Sequence, residues 1–397
     1  MKPIGISQRI SPLVVLLITI FIDVTGFGMV LPLLPYYAVT FGVGSTALGV
    51  LVASFALMQF ISSPILGQLS DKVGRRPILL VSILTSVASF AFFALATSFW
   101  GLLLSRVVAG LATEISVAQA YIADITEVRD RAKGMGRVGA VHGAGFIIGP
   151  ALGGVLSPYG FTAAGWVAAL LALVNLGFVF FFLPESLDPR QKDEGSQTRV
   201  GILASLRRAL SRPWMGSVLL IFFIVSFAFS AFPVIMPLFA MTFFGLGSVE
   251  MSFFFVYTGL VQIVFQGIVV GSIASRIGEA KMIAVGLTVM TIGVLLLVFF
   301  PSLVMFLVLI TITFLGIGLL NTAIPSYISK ITPVTERGGV MGVTQSVSSI
   351  ARVPGPLVAG AVFEYAGVLA PFLLSAVLLM VATLFGFRIA HQKPSTS

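Results

Sequence analysis

Apolar runs of about twenty residues recur along this chain, separated by short polar breaks at charges and at Gly, Pro and Ser clusters. Such runs match the roughly 20 residues needed to cross a hydrocarbon layer about 30 Å thick. Splitting at the breaks predicts twelve membrane helices. In the first half they fall near 13–38, 47–67, 77–97, 99–123, 134–156 and 162–183. In the second half they fall near 215–242, 251–274, 281–300, 302–328, 339–363 and 368–390. Residues 184–212 form the one long hydrophilic stretch and read as a linker with a short basic amphipathic piece near Leu206 to Arg212. The expected organisation is a six-helix bundle over 1–187, a linker over 188–212 and a second six-helix bundle over 213–397.

Composition supports this pattern. Of 397 residues 58% are apolar and 9% charged, against roughly 25% charged in soluble domains. No water-soluble fold of this size hides that much apolar surface. The run after Arg9 is too long for a signal-peptide core and has no small-residue cleavage site, so it is read as the first span. The absence of cysteine excludes disulfides, thiolate metal sites and cysteine nucleophiles. A net charge of +9 does not imply a nucleic-acid partner, because the basic residues lie between spans. All but two of the 23 Lys and Arg residues fall in the termini and in alternate loops on one side. By the positive-inside rule, both termini and the linker are expected in the cytoplasm of a multi-pass inner-membrane protein.

The chain also repeats itself. ITEVRDRAKGMG at 125–136 aligns with ITPVTERGGVMG at 331–342, and GPALGG at 149–154 with GPLVAG at 355–360. Six helices separate the copies, so both halves have the same orientation, an arrangement that sets a substrate site near the midplane.

Charges inside spans point to chemistry. Counting 1.5 Å per residue, Asp23, Glu114 and Arg352 come near mid-membrane, and Arg106 shares a stripe with Gly110 and Glu114. Each such charge costs about 2.5–3.5 kcal/mol if unpaired and facing lipid. They must face a cavity, pair, or change protonation. A carboxylate so placed is suited to binding and releasing a proton, with Arg106 as tuning charge and Arg352 as counter-charge. The plain alternative is static pairing, Glu114 with Arg106 or Asp23 with Arg352. Gln59, His142, Tyr257, Gln262, Gln266, Asn321 and Gln345 are further cavity candidates, His142 being read as structural rather than proton-carrying. The sequence contains no nucleotide-binding glycine loop with a catalytic acid, no metal-ligand cluster and no soluble domain, so neither an enzyme nor a receptor is expected.

Several motifs carry a resemblance. GQLSDKVGRRP spans Gly67 to Pro77; RVVAG starts at Arg106, followed by AYIADIT; GAGFIIGPALGG spans Gly143 to Gly154; and DVTGFGMVLPLLP spans Asp23 to Pro35. Over its whole length the chain resembles the major facilitator superfamily, and within it the drug:proton antiporters that include tetracycline-efflux proteins. The resemblance implies an all-α fold of two six-helix repeats. It also implies proton-coupled export of small amphipathic compounds by alternating access, with protons as coupling ion and no cofactor or metal. Partners would be the amphipathic substrate and the lipid bilayer, with a monomer expected. It further implies a gate built from Gly67, Asp71, Gly74, Arg75, Arg76 and Asp124, in which Arg75 meets Asp124 and Asp71 meets the start of helix 11. Gly145, Gly149, Pro150, Gly153 and Gly154 form the antiporter motif, with a bend at Pro150, and the glycines at 26 and 28 are expected to let helix 1 flex beside Asp23. Two departures argue against tetracycline itself: the second half has no acid inside a span, and helix 8 has no histidine. Ser275 stands where a second Asp71 would, which predicts a one-sided latch. The alternative on the same fold is transport of a sugar, an anionic metabolite or a lipid.

Overall fold

The computed structural model describes residues 11–112, 114–127, 130–186, 215–299, 302–333 and 337–391. The expected linker at 188–212, with its basic amphipathic piece, lies outside the described residues.

The described residues fold into helices without strands. They are α1 (Pro12–Val30), α2 (Leu34–Val39), α3 (Ser45–Val73), α4 (Arg75–Ala94), α5 (Phe99–Leu111), α6 (Glu114–Ile125), α7 (Arg131–Leu156), α8 (Phe161–Phe182), α9 (Met215–Ser230), α10 (Phe232–Phe244), α11 (Ser248–Val264), α12 (Val270–Ile277), α13 (Glu279–Leu297), α14 (Leu303–Ile331), α15 (Arg337–Ala351), α16 (Pro354–Ala366) and α17 (Ala370–Ala390). Among the described residues, eleven stretches are long and apolar enough to cross a membrane, and the α9–α10 pair, bent by 41°, makes a twelfth if it is one span. This is a multi-pass membrane protein.

Several spans are interrupted. The first span is interrupted at Leu31–Leu33, around Pro32, which has no backbone N–H to give to the preceding turn. The fourth breaks at Ala112, whose ψ of 133° is extended, so that Glu114 opens α6. Between α11 and α12, Phe265–Val269 form a π-helical turn, a local distortion of the kind found at functional sites. By contrast α7 runs unbroken through Pro150.

The chain divides into two compact units. The first comprises Met1–Val43, Ser54–Gln197 and Leu246–Val256; the second comprises Gly44–Ala53, Thr198–Gly245 and Tyr257–Ser397. Close packing explains the two short pieces that leave the rest of their helices. In the second unit Gly49 lies so near the Pro356 carbonyl that a Cβ would sit 2.4 Å from it. There Ser45 Oγ also donates to the Gly360 carbonyl at 3.0 Å, and the Thr46 N–H to Glu364 Oε2 at 2.8 Å. In the first unit Tyr36 Oη donates to the Leu246 carbonyl at 3.0 Å.

The first unit's core joins Val15, Leu16 and Ile20 of α1 to Leu79 and Ile83 of α4 and Val117 and Ile122 of α6. The second unit's core includes a cluster of rings: Phe239 contacts Phe306 and Phe372, and Phe232 contacts Phe314. With lipid outside, such helix contacts depend on fit rather than on removal from water.

Candidate functional site

The glycines of α7 are the means by which α1 is held. A Cβ on Gly149 would lie 2.5 Å from the Thr25 carbonyl, one on Gly153 2.5 Å from the Met29 carbonyl, and one on Gly145 3.0 Å from Val24 Cβ. From the other side Gly28 meets Pro150 and Gly26 meets the Phe90 ring. The glycines at 26 and 28 are therefore packing positions, and Pro150 is in contact with Gly28. Gly154 points elsewhere, to Ser252 within the first unit.

This packing fixes Asp23 on α1, half-buried and within electrostatic reach of Glu114. Glu114 is 3% exposed. Its Oε1 accepts a hydrogen bond from Ser86 Oγ of α4 at 2.7 Å. Arg106 is 2% exposed; its Nε donates to Ser105 Oγ at 3.3 Å, its guanidinium lies over the Phe93 ring, and its Nη2 has no hydrogen-bond partner. Among the described residues Arg106 makes no ion pair with Glu114. The static pairing of these two is thus replaced by a hydroxyl–carboxylate pair and an aromatic-backed arginine.

A second cluster surrounds the turn between α3 and α4. Arg75 Nε donates to Asp124 Oδ2 at 2.9 Å, and its Nη1 to Ser70 Oγ at 2.7 Å and to Asp71 Oδ1 at 2.6 Å. The expected Arg75–Asp124 contact is present, and Asp71 belongs to the same cluster. The sequence reading missed Glu185, whose Oε1 and Oε2 accept the N–H groups of Arg75 and Arg76 at 2.8 and 3.2 Å. That carboxylate caps the start of α4, where free N–H groups and the helix dipole favour an anion. Gly74 is required here twice over: its φ is +130°, and a Cβ would meet Glu185 Oε2 at 2.5 Å. Arg76 lies outside the ion-pair cluster; its Nη2 donates to the Phe180 carbonyl at 2.5 Å. Gly67 has open space around it, and its carbonyl accepts from Ser70.

The second unit holds a counterpart that the sequence reading did not find. Glu279, the first residue of α13, pairs with Lys330 near the end of α14 at 2.5 Å, and Ser326 Oγ donates to the same Oε1 at 3.1 Å. Searching for an aspartate at Ser275 could not find a pair with its charges exchanged.

The remaining candidates are dispersed. Tyr257 bonds Thr311 of α14, His142 stacks on Phe146, and Gln266 lies in the π-helical turn against Gly318. Gln262 and Gln59 are half-buried, with Gln59 beside Gly110. Asn321, Gln345 and Arg352 are exposed on their helices, and Arg352 follows α15 at a break in the span.

Comparison with known proteins agrees with this architecture. The chain is 35% identical to the tetracycline resistance protein, class E, of Escherichia coli, over 86% of this chain and 85% of that one. It is 28% identical to multidrug resistance protein 2 of Bacillus subtilis (strain 168), over 95% of this chain and 94% of that one. Its fold matches the crystal structure of the human organic anion transporter MFSD10 (TETRAN) with a TM-score of 0.69 and 25% identity, covering 96% of this chain and all of the other. The profile described as Major Facilitator Superfamily matches residues 16–279 and 250–397. The chain belongs to the Major Facilitator Superfamily.

Proposed function

We propose that this chain exports small amphipathic compounds across the inner membrane in exchange for protons, by alternating access. The observation behind this reading is the pair of carboxylates inside the spans of the first unit, Asp23 and Glu114. Neither has an ion-pair partner among the described residues, so each is available to take up and release a proton. An unpaired charge at that depth costs about 2.5–3.5 kcal/mol, which favours a protonation cycle over a fixed charge. Kinship with multidrug and tetracycline resistance proteins fits a drug-like cargo. In this reading Asp23 is the substrate-linked site, the two six-helix halves are joined by the linker, both termini are cytoplasmic, the monomer is the working unit, and no cofactor or metal takes part. The Arg75 cluster belongs to the gate.

One observation favours a second reading on the same fold, export of compounds bearing an anionic group. Arg352 is exposed at a break in its span and has no ion pair among the described residues. A guanidinium so placed would attract a carboxylate or phosphate.

The test is flux in sealed proteoliposomes with an imposed pH gradient and a panel of cationic, neutral and anionic amphiphiles. Gradient-dependent accumulation of a cationic or neutral member supports the first reading. Accumulation confined to anions and abolished in Arg352→Gln supports the second, and flux indifferent to the gradient contradicts proton exchange.

A further inference from the structure

Serines recur on one face of α4 at 82, 86 and 89, all buried, a spacing that stacks side chains along a helix. Hydroxyls on apolar helices ordinarily donate to the carbonyl one turn back, as Thr85 does to Val81 at 2.9 Å. Ser86 instead reaches across to Glu114 Oε1 at 2.7 Å. Ser89 reaches the Ser105 carbonyl at 3.1 Å, and Ser82 Oγ is buried without a partner.

Among the described residues, the charged and titratable side chains inside the spans around Glu114 have other partners or none. From α1 comes Asp23, within electrostatic reach. From α5 comes Arg106, turned to Ser105 and Phe93 rather than to the carboxylate. The titratable side chain of α7 inside the span, His142, is stacked on Phe146. On α6 itself Tyr121 Oη donates to the Pro184 carbonyl at 2.6 Å. The direct side-chain contact to Glu114 is therefore the hydroxyl from α4.

We infer that Ser86 is the positioning residue for a second proton site at Glu114. A serine hydroxyl suits both states of the cycle because it can donate or accept. When Glu114 is charged, Ser86 Oγ–H donates to its carboxylate. When Glu114 takes up a proton, the new O–H bond donates to Ser86 Oγ, and the serine hydrogen turns to the carbonyl one turn back on α4. No atom or charge other than the transported proton is gained or lost. Arginine would hold the charged form permanently, whereas serine leaves both forms satisfied. Its strength decides at which pH the site fills.

This inference rests on the reading that carboxylates of the first unit carry the proton, and its test is chosen to separate the two. Full-length protein in proteoliposomes is compared as wild type, Ser86→Ala, Ser86→Thr and Glu114→Gln. The carboxyl infrared band missing in Glu114→Gln gives the titration of Glu114 directly, whatever drives transport. Loss of a hydrogen bond to the charged form strengthens proton binding, so Ser86→Ala should move that midpoint to higher pH by about one unit, a tenfold change in affinity. The pH profile of gradient-driven uptake should follow, gradient-free exchange should change less than about twofold, and Ser86→Thr should restore the midpoint. An unmoved infrared midpoint in Ser86→Ala overturns the inference. So does equal loss of driven and undriven flux that threonine does not rescue, which is structural damage. If the midpoint moves while driven uptake ignores it, the positioning stands and the proton-exchange reading fails.

Discussion

The two units tie the start of one helix to the end of another in the same way but with the charges exchanged. In the first unit Arg75 opens α4 and pairs with Asp124 near the end of α6. In the second Glu279 opens α13 and pairs with Lys330 near the end of α14. Each opening residue follows a glycine of positive φ, 130° at Gly74 and 77° at Gly278. The surroundings differ for a physical reason. A cation at a helix start opposes the dipole, whereas an anion there is favoured. The Arg75 guanidinium accordingly pairs with two carboxylates, Asp71 and Asp124, and is nearly buried, while Glu185 caps the backbone N–H groups beside it. Glu279 is content with one lysine that is 64% exposed, and one serine. What the halves share is a tie between helix ends, and its sign sets how much must be built around it.

The largest effect is expected at the tie of the first unit. Arg75→Ala leaves Asp71 and Asp124 facing each other without a cation, and should lower unfolding stability in mixed micelles by about 3 kcal/mol. Its turnover should fall about tenfold or more while substrate affinity changes little, because the cluster lies far along the helices from Asp23 and Glu114. A variant within 1 kcal/mol of wild type, by the same order-of-magnitude reckoning, removes the distinction between the two ties.

The glycines sharpen the point. Both lie in a backbone region that costs other residues about 1–3 kcal/mol. Gly278→Ala should cost only that, since nothing lies within 4 Å of its added Cβ. Gly74→Ala should also displace the Glu185 cap, worth about a further 1 kcal/mol. Equal melting shifts for the two variants would mean that Glu185 does not hold α4.

The smallest effect belongs to the exposed pair. Glu279→Gln should cost under about 1 kcal/mol, as an ion pair with a solvated partner does. The swapped variant Glu279→Lys with Lys330→Glu should recover less than its equivalent in the first unit would lose, because it places a cation at a helix start without supporting carboxylates. Thermal denaturation at low and high salt reads both, with the wild-type pair weakening as salt rises.

The spans were legible because lipid demands long apolar runs. Their breaks were harder to read. α3 continues through the GQLSDK motif to Val73, since charges at a membrane surface do not stop a helix. The interruptions at Ala112 and at the π-helical turn have no composition of their own. Of the site, the charges stood out because they are rare in such a chain. Their partners did not: Ser86 is one serine among many on an apolar helix, and Glu185 lies more than a hundred residues from the arginine it caps. Glycine-rich stretches announced close contact but not its direction. Only geometry shows that Gly26 is a seat for Phe90.

The interiors differ as sharply as the ties, and this difference bears on proton coupling. The first unit contains Asp23 and Glu114 inside spans, while within the spans of the second unit the sequence places acids only at the ends, such as Glu279 and Glu364. Proton coupling should then reside in the first unit. The direct measurement is uphill substrate accumulation in proteoliposomes driven by a pH gradient alone, for Asp23→Asn, Glu114→Gln and the double variant, beside gradient-free exchange. The double variant should lose accumulation while keeping exchange within about threefold of wild type. Continued accumulation against the substrate gradient by the double variant would contradict it.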